Sequence, residues 1–458
     1  MKTIKSPLLI LFLAGALLNL SFFFTNIATD LLAFFVIAPA FVALAKLKAV
    51  KRYLGGLLFF GAWMLPTSYW YFNFMPVGEA IRSLTLFTLM ALIFVLPVFI
   101  KTLIKNKSIA LDFALIIFLW TSLVFLRTTL PVVEDWWIPH LAYTQWQNVG
   151  VLQIAYFAGI YGIIFVILLS NALLAFLWLK TKKVFPAVFI ISLSLIFLLG
   201  NFLVTAIHTA PVSGKDRLIA IQASTESLNW TLDQSLEVAE KKWEEDKDFF
   251  TPNDNDLEKL KNLTLEALKK IENREITNIF VLWPENRIGE NKIADVKSFA
   301  KNNKIYLSFH SLEKAQTDKF YSVIITLDQS GEEVLRNYKR HIAPGESNIA
   351  KDGEHHNFEV DGLKITSDIC YDLHYPDLQK MAEGNDLLLA PVNDLEFGEF
   401  LPYLHARDVI FRAIENRINI LTSATTGPTF FVNKYGVIEK GLLEIGEEGF
   451  VIFGDGVE

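Results

Sequence analysis

Three polar residues along this chain have types and placement that can do chemistry together. Glu285 ends the string Val-Leu-Trp-Pro-Glu, Lys339 stands in Asn-Tyr-Lys-Arg-His, and Cys370 follows Ser-Asp-Ile. A carboxylate can take a thiol proton, an ammonium can stabilise a thiolate and then a developing oxyanion, and a thiolate can attack a carbonyl to give a thioester. Taken singly, each has an ordinary explanation. A lone cysteine after a strand is commonly a small buried hydrophobe. A lysine beside a tyrosine is commonly a solvated charge, and a glutamate after Trp-Pro a loop residue. What joins the three is position: each is read as standing at a strand end, and catalytic groups of α/β folds collect in loops beyond the carboxyl ends of strands. Cys370 is the single cysteine, which excludes an intrachain disulfide framework and a multi-cysteine metal cluster.

The runs that would carry these residues lie in the second half. Asp216–Ser224 alternates apolar and polar residues, as a strand does. Thr277–Trp283, Lys304–His310, Phe320–Leu327, Leu363–Ile369 and Asp386–Val392 are further expected strands, with a turn at Asp328–Gly331. Residues 231–273 are charged and helix-forming, broken by the turn-formers Thr251–Asp256, and Leu401–Arg417 is an amphipathic helix. Ile418–Ser423, Thr429–Asn433 and Gly449–Phe453 are expected closing strands. Short strands alternating with helices predict a layered α/β domain.

The first half obeys a different rule. Residues 1–208 hold 14 Lys+Arg and 5 Asp+Glu, a net of +9, while 209–458 hold 28 and 44, a net of −16. Each apolar run of about 20 residues can cross a bilayer. Seven candidates are expected, at roughly 7–24, 27–45, 53–75, 83–105, 110–130, 151–179 and 184–207. The basic residues flank alternate ends: 12 of the 14 fall on one side, and only Arg82 and Arg127 on the other. Lys/Arg enrichment marks the cytoplasmic side, so the amino terminus is expected inside and the second half outside. The expected division is a transmembrane domain of about seven helices over 1–208, a linker over 209–217 and an extracytoplasmic domain over 218–458. An acidic soluble half argues against nucleic acid as a partner. The aromatics Trp136, Trp137, Tyr143 and Trp146 suit an interfacial belt. His355-His356 invites a metal reading, but adjacent histidines on a strand point apart and no third ligand is near in sequence, so no metal is expected.

The order and local strings of the three residues resemble the carbon–nitrogen hydrolase (nitrilase) superfamily, and within it the membrane branch of the apolipoprotein N-acyltransferases. Trp283-Pro284-Glu285 resembles the base motif, Tyr338-Lys339 with His341-Ile342-Ala343-Pro344-Gly345-Glu346 the Lys-x-His-Leu-Val-Pro-Phe-Gly-Glu stretch, and Cys370-Tyr371-Asp372 the Cys-Tyr-Glu nucleophile motif. Asn393-Asp394, the Arg407–Glu415 helix, Tyr143-Thr144-Gln145, Gly159-Ile160-Tyr161-Gly162 and Trp230 in Leu-Asn-Trp extend the resemblance. It departs from the pattern where Pro344 and Gly345 are adjacent with no Phe between them, where Asp372 replaces Glu, where Ile288-Gly289 stand in place of a proline, and where Glu396 replaces Trp.

The resemblance implies a polytopic helical membrane domain joined to a nitrilase-like αββα domain, set in a bacterial inner membrane. It implies an acyltransferase with Glu285 as base, Lys339 on the oxyanion and Cys370 as nucleophile. Glu346 would be a second carboxylate, Tyr371, Asp372 and Asn393 would support the nucleophile, and Trp230 would wall the acyl site. A membrane phospholipid would donate the acyl chain and the amine of a diacylglyceryl-cysteine lipoprotein would accept it, with no cofactor and a monomeric enzyme. Two alternatives share the scaffold: a membrane-tethered amidase in which water resolves the thioester, and a non-catalytic lipoprotein-binding homologue.

Overall fold

In a computed structural model the chain forms two compact units, Met1–Ile207 and His208–Glu458. The structure describes residues 6–24, 26–69, 76–130, 140–181, 184–206, 215–223, 254–271, 276–285, 288–315, 319–343, 346, 349–351, 355–376, 382–394, 400–439 and 441–454. Trp136, Trp137, Trp230, Pro344, Gly345 and Glu396 lie outside them.

The first unit is helical. Its helices are α1 (Pro7–Leu18), α2 (Leu20–Phe23), α3 (Ile27–Val36), α4 (Ala38–Leu44), α5 (Ala49–Ser68), α6 (Pro76–Leu103), α7 (Ile109–Thr129), α8 (Val149–Leu152), α9 (Ala155–Lys180) and α10 (Val184–Thr205). Four stretches among the described residues are long and apolar enough to cross a membrane: Ala80–Leu103, Ile109–Thr129, Ala155–Lys180 and Val184–Thr205. The first two expected spans are each broken in two, near Asn19 and Ile37. Backbone freed within an apolar setting must find partners inside the protein. The second break finds one in α9: Ile37 N donates to Asn171 Oδ1 (2.9 Å), and Asn171 Nδ2 donates to the Ala33 carbonyl (2.8 Å). In α9 itself the helical path is interrupted at Ala158 and Gly159, and Gly159 takes a φ of 59° that suits a residue without Cβ. Phe59, Phe60, Trp63, Phe94 and Trp120 form a buried aromatic knot, with ring centroids 4.9–6.4 Å apart. Beside it Arg52 of α5 makes a bidentate pair with Asp112 of α7 at 2.9 and 2.7 Å.

The second unit is built on two sheets. The first runs β12-β1-β2-β3-β4-β5, with β6 beside β4; the second runs β11-β10-β9-β8-β7. The strands are β1 (Asp216–Gln222), β2 (Asn278–Leu282), β3 (Tyr306–Lys314), β4 (Phe320–Leu327), β5 (Glu333–Tyr338), β6 (Ile349–Ala350), β7 (Phe358–Val360), β8 (Leu363–Ser367), β9 (Leu387–Val392), β10 (Asn419–Ala424), β11 (Phe431–Val432) and β12 (Gly449–Phe453). β1, β2 and β3 pair in parallel, as do β8, β9 and β10, and such strands need apolar cover on both faces. Leu218, Phe280, Leu282 and Ile324 of the first sheet meet Ile365, Leu389 and Leu421 of the second in one core. On the first sheet's outer face Ile219, Val281, Leu307 and Val323 pack against Leu257 and Leu260 of α11 (Asp254–Lys269) and Val296 and Ala300 of α12 (Glu290–Asn303). Helix α13 (Leu401–Asn416) follows β9, and its residues from Val409 to Ile414 are buried. Helix, sheet, sheet and helix give the αββα layering that the resemblance implied.

Candidate active site

Glu285, Lys339 and Cys370 each stand just past a strand: β2, β5 and β8. Trp283 continues β2's ladder by donating its N–H to Ser308 O (3.0 Å), and its buried indole donates to Thr264 Oγ1 of α11 (3.0 Å). That pins the peptide before Glu285. Lys339 N donates to Ser322 O (2.9 Å), so Lys339 begins where pairing with β4 ends. Cys370 opens a 3₁₀ turn, Cys370–His374, at a φ of +45°. A non-glycine residue in that region costs about 1–3 kcal/mol and persists only where its surroundings enforce it.

The three side chains converge in a nearly water-free setting: Lys339 is 1% exposed, Glu285 4% and Cys370 7%. Lys339 Nζ lies 2.8 Å from Glu346 Oε1 and 3.4 Å from Glu285 Oε1, and Glu346 also accepts from Ala343 N (3.0 Å). Burial disfavours the ammonium, but Glu285 and Glu346 outweigh it and hold the Lys339 pKa far above the ordinary lysine range. For Cys370 burial pushes the pKa well up and the Glu285 charge adds to it, while Lys339 pulls the other way. The resting site is therefore a neutral thiol facing an ion cluster. A thiol in this state needs a base to become a nucleophile, and the base must lose its own charge as it acts. His310, missed by sequence reasoning, has Nε2 3.9 Å from Glu285 Oε1 and 2.8 Å from Ser322 Oγ.

Asp372 is wholly buried and ties two loops together. Its carboxylate accepts from the backbone of His341 (2.7 Å), Arg340 (3.1 Å) and Ile369 (3.4 Å), and lies 3.0 Å from His341 Nδ1. The loop carrying Lys339 and the loop carrying Cys370 thus share one anchor. Burial raises the Asp372 pKa, with Arg340 opposing. Tyr371 packs edge-on to His374 and Tyr375, and His341 stacks on Tyr375 at 3.7 Å. Asn393 offers its carbonyl to the Cys370 thiol (Sγ to O 3.8 Å), and its Oδ1 accepts from Thr425 (2.8 Å). The expected positions Glu346, Tyr371, Asp372 and Asn393 therefore surround the three; Trp230 lies outside the described residues. His355 is half-buried and lies 2.7 Å from Thr366 Oγ1.

Cys370 Sγ, an Asp394 oxygen and a His405 ring nitrogen lie within 4.8 Å of one another. Both His405 nitrogens already have acceptors, Asp394 on Nδ1 and the Cys370 carbonyl on Nε2, so the trio reads as a hydrogen-bonded chain, not a cation cage. Nothing in the sequence marks His405, which sits mid-helix in α13 and meets the nucleophile only through folding.

Residues 14–173 match the family described as the apolipoprotein N-acyltransferase N-terminal domain, and residues 279–452 match carbon–nitrogen hydrolase. Apolipoprotein N-acyltransferase of Geobacter metallireducens is 24% identical over 392 residues, 77% of this chain and 70% of that one. Apolipoprotein N-acyltransferase 1 of Treponema denticola is 20% identical over 480 residues, 90% of this chain and 82% of that one. Among solved structures, a cysteine mutant of a nitrilase-superfamily amidase from Nesterenkonia is 15% identical and superposes with a TM-score of 0.39, over 54% of this chain and 93% of that one. Both halves of the chain thus resemble, in the order of the relatives, the two parts of an apolipoprotein N-acyltransferase, the second through a carbon–nitrogen hydrolase match over residues 279–452.

Proposed function

We propose that this protein moves a fatty acyl chain from a phospholipid to the amino-terminal amine of a diacylglyceryl-cysteine lipoprotein through a thioester on Cys370. The observation that carries the reading is the dry meeting of a thiol, a carboxylate and an ammonium clamped by two carboxylates. Glu285 takes the Cys370 proton as the sulfur attacks the ester carbonyl carbon. Lys339 stabilises the oxyanion. The carbon–oxygen bond then breaks, the lysophospholipid leaves with the proton from Glu285, and a thioester remains. In the second half the lipoprotein amine attacks the thioester, Glu285 removes its proton, and the thiolate departs and is reprotonated, leaving an amide.

Two features support transfer over hydrolysis. The site holds its reacting groups away from water, which favours an oriented amine over solvent. The apolar first unit supplies membrane residence, where the donor is. The basic residues crowd alternate helix ends, which supports an orientation with the second unit outside the cytoplasm. Tyr371, Asp372 and Asn393 support the nucleophile's loop in this reading, and Glu346 keeps Lys339 charged and aimed.

The test is intact-mass spectrometry of the purified full chain after incubation with phospholipid vesicles. An acyl-sized increment that maps to Cys370, is absent from Cys370→Ala and is discharged by a diacylated lipopeptide is the expected result. An unmodified thiol in the presence of donor overturns the proposal, and release of free fatty acid with no acylated acceptor assigns the site to hydrolysis.

A further inference from the structure

Behind the nucleophile lies a second cluster that the steps above do not use. His405 of α13 is 2% exposed. Its Nδ1 lies 2.9 and 3.1 Å from the two Asp394 oxygens, and its Nε2 lies 3.0 Å from the Cys370 carbonyl oxygen. A carbonyl only accepts, and so does a carboxylate, so both ring nitrogens carry hydrogen and the ring is an imidazolium. A second imidazole, His374 from the nucleophile's own turn, stacks obliquely at 4.4 Å and pairs through Nδ1 with Asp408 of α13. Two like charges at that separation are costly. His405 has an acceptor on each ring nitrogen, and burial beside it lowers the His374 pKa, so the charge resides on His405.

We propose that His405 is a positioning residue for Cys370: it anchors the Cys370 carbonyl, and its charge offsets the Asp394 carboxylate that stands beside the sulfur. The inference rests on reading Cys370 as the nucleophile. It explains two facts otherwise unconnected. Cys370 keeps a φ of +45°, which needs an external hold on its peptide, and the Nε2 bond is one. Asp394 bears on the thiol in the same direction as Glu285, against the thiolate. A bare carboxylate there would oppose the step that Glu285 must drive; one bonded to an imidazolium opposes it less. The directions of ionisation agree. Burial works against the His405 charge, but Asp394 and Asp408 together outweigh it and raise its pKa. Burial and the neighbouring His405 lower His374 to about 4.

The groups facing this pair are Asp394 from the end of β9, His374 from the nucleophile turn and Asp408 from α13, while Glu285 and Lys339 act on the sulfur from the first sheet. The test reads the sulfur directly and needs no lipid. The rate of Cys370 alkylation by iodoacetamide is followed by intact mass as a function of pH, on the full chain in detergent. His405→Gln can still donate to the Cys370 carbonyl but has no charge. Its alkylation profile is expected to move to higher pH, with the rate at neutral pH down at least about tenfold. Asp394→Asn is expected to move the profile to lower pH, and the double variant to return it towards wild type. The same His405→Gln protein should form acyl-enzyme more slowly at saturating donor, with the half-saturating donor concentration unchanged.

A purely structural His405 would change thermal stability and leave all three profiles superimposed, which overturns the proposal. If His405→Gln does not fold, Asp394→Asn and the double variant decide the matter: an unshifted Asp394→Asn profile overturns it equally. Shifted profiles in a protein that never acquires an acyl group uphold this role and refute the acyl-transfer reading instead.

Discussion

Replacing Lys339 by methionine tests the ion cluster at its centre. Lys339 is buried between Glu285 and Glu346, at 3.4 and 2.8 Å. Methionine keeps most of the volume and removes the charge, leaving two carboxylates facing each other without a cation. Taking one partner from a buried ionic group costs about 3–5 kcal/mol. For a unit spanning His208–Glu458, each kcal/mol is worth about 2–4 °C, so the soluble unit's unfolding transition should fall by about 6–20 °C. The pH dependence carries a sign. In the wild type the lysine pKa is raised by the fold, so its contribution is complete below the unfolded value of 10.5 and flat across the ordinary range. In the variant the orphaned carboxylates can shed charge by taking up protons, so the deficit should be small near pH 5 and full near pH 8. Acyl-enzyme formation should fall by at least about 10²–10³, the loss that follows removal of an oxyanion donor. The assays are thermal unfolding in detergent at the two pH values and the rate of mass gain on Cys370. A variant with wild-type stability at both pH values, or with more than a tenth of the acylation rate, would refute the reasoning.

Two further outcomes follow from buried charges elsewhere. Arg52→Leu leaves Asp112, among the described residues, with only Lys101 at 3.7 Å, and should lower the stability of the first unit by about 3 kcal/mol or more; Arg52→Leu with Asp112→Leu should recover most of it, as read by thermal unfolding in detergent. Asp372→Glu restores the residue of the family's motif but adds a methylene to a side chain with no exposed surface. It should cost about 1–3 kcal/mol of the soluble unit's stability and slow acylation by disturbing the anchored loops, and an unchanged melting temperature would contradict the packing described.

The sequence disclosed the strands that are short apolar runs, among them β4 and β12, whose expected bounds Phe320–Leu327 and Gly449–Phe453 are the observed ones. It also placed Glu285 and Cys370 just past expected strands, where they stand. β5 went unread although it delivers Lys339. Its inward positions are Leu335 and Asn337, and the asparagine breaks the apolar alternation. That asparagine is buried because it holds other loops: it accepts from His356 N (2.6 Å) and donates to Ser367 O (3.1 Å). The breaks in the first two apolar runs were hidden for a similar reason, since the side chain that satisfies one of them, Asn171, lies on a helix far along the chain. His405 was invisible because a mid-helix histidine carries no mark of what will face it. Local pattern reports local geometry; groups whose partners arrive from distant segments are silent until the chain is folded.

The pairing of β12 with β1 bears on how this protein can be made. Leu218 sits opposite Phe453 and Gln222 opposite Gly449, so β1 waits for a partner strand far along the chain. During vectorial synthesis the edge of β1 has no native neighbour on that side until Gly449–Phe453 has emerged, and unpaired edges invite wrong partners. Assembly of the sheet is thereby coupled to the arrival of β12. A premature stop before Gly449 should therefore yield a chain that fails as a whole, not one that merely lacks a tail.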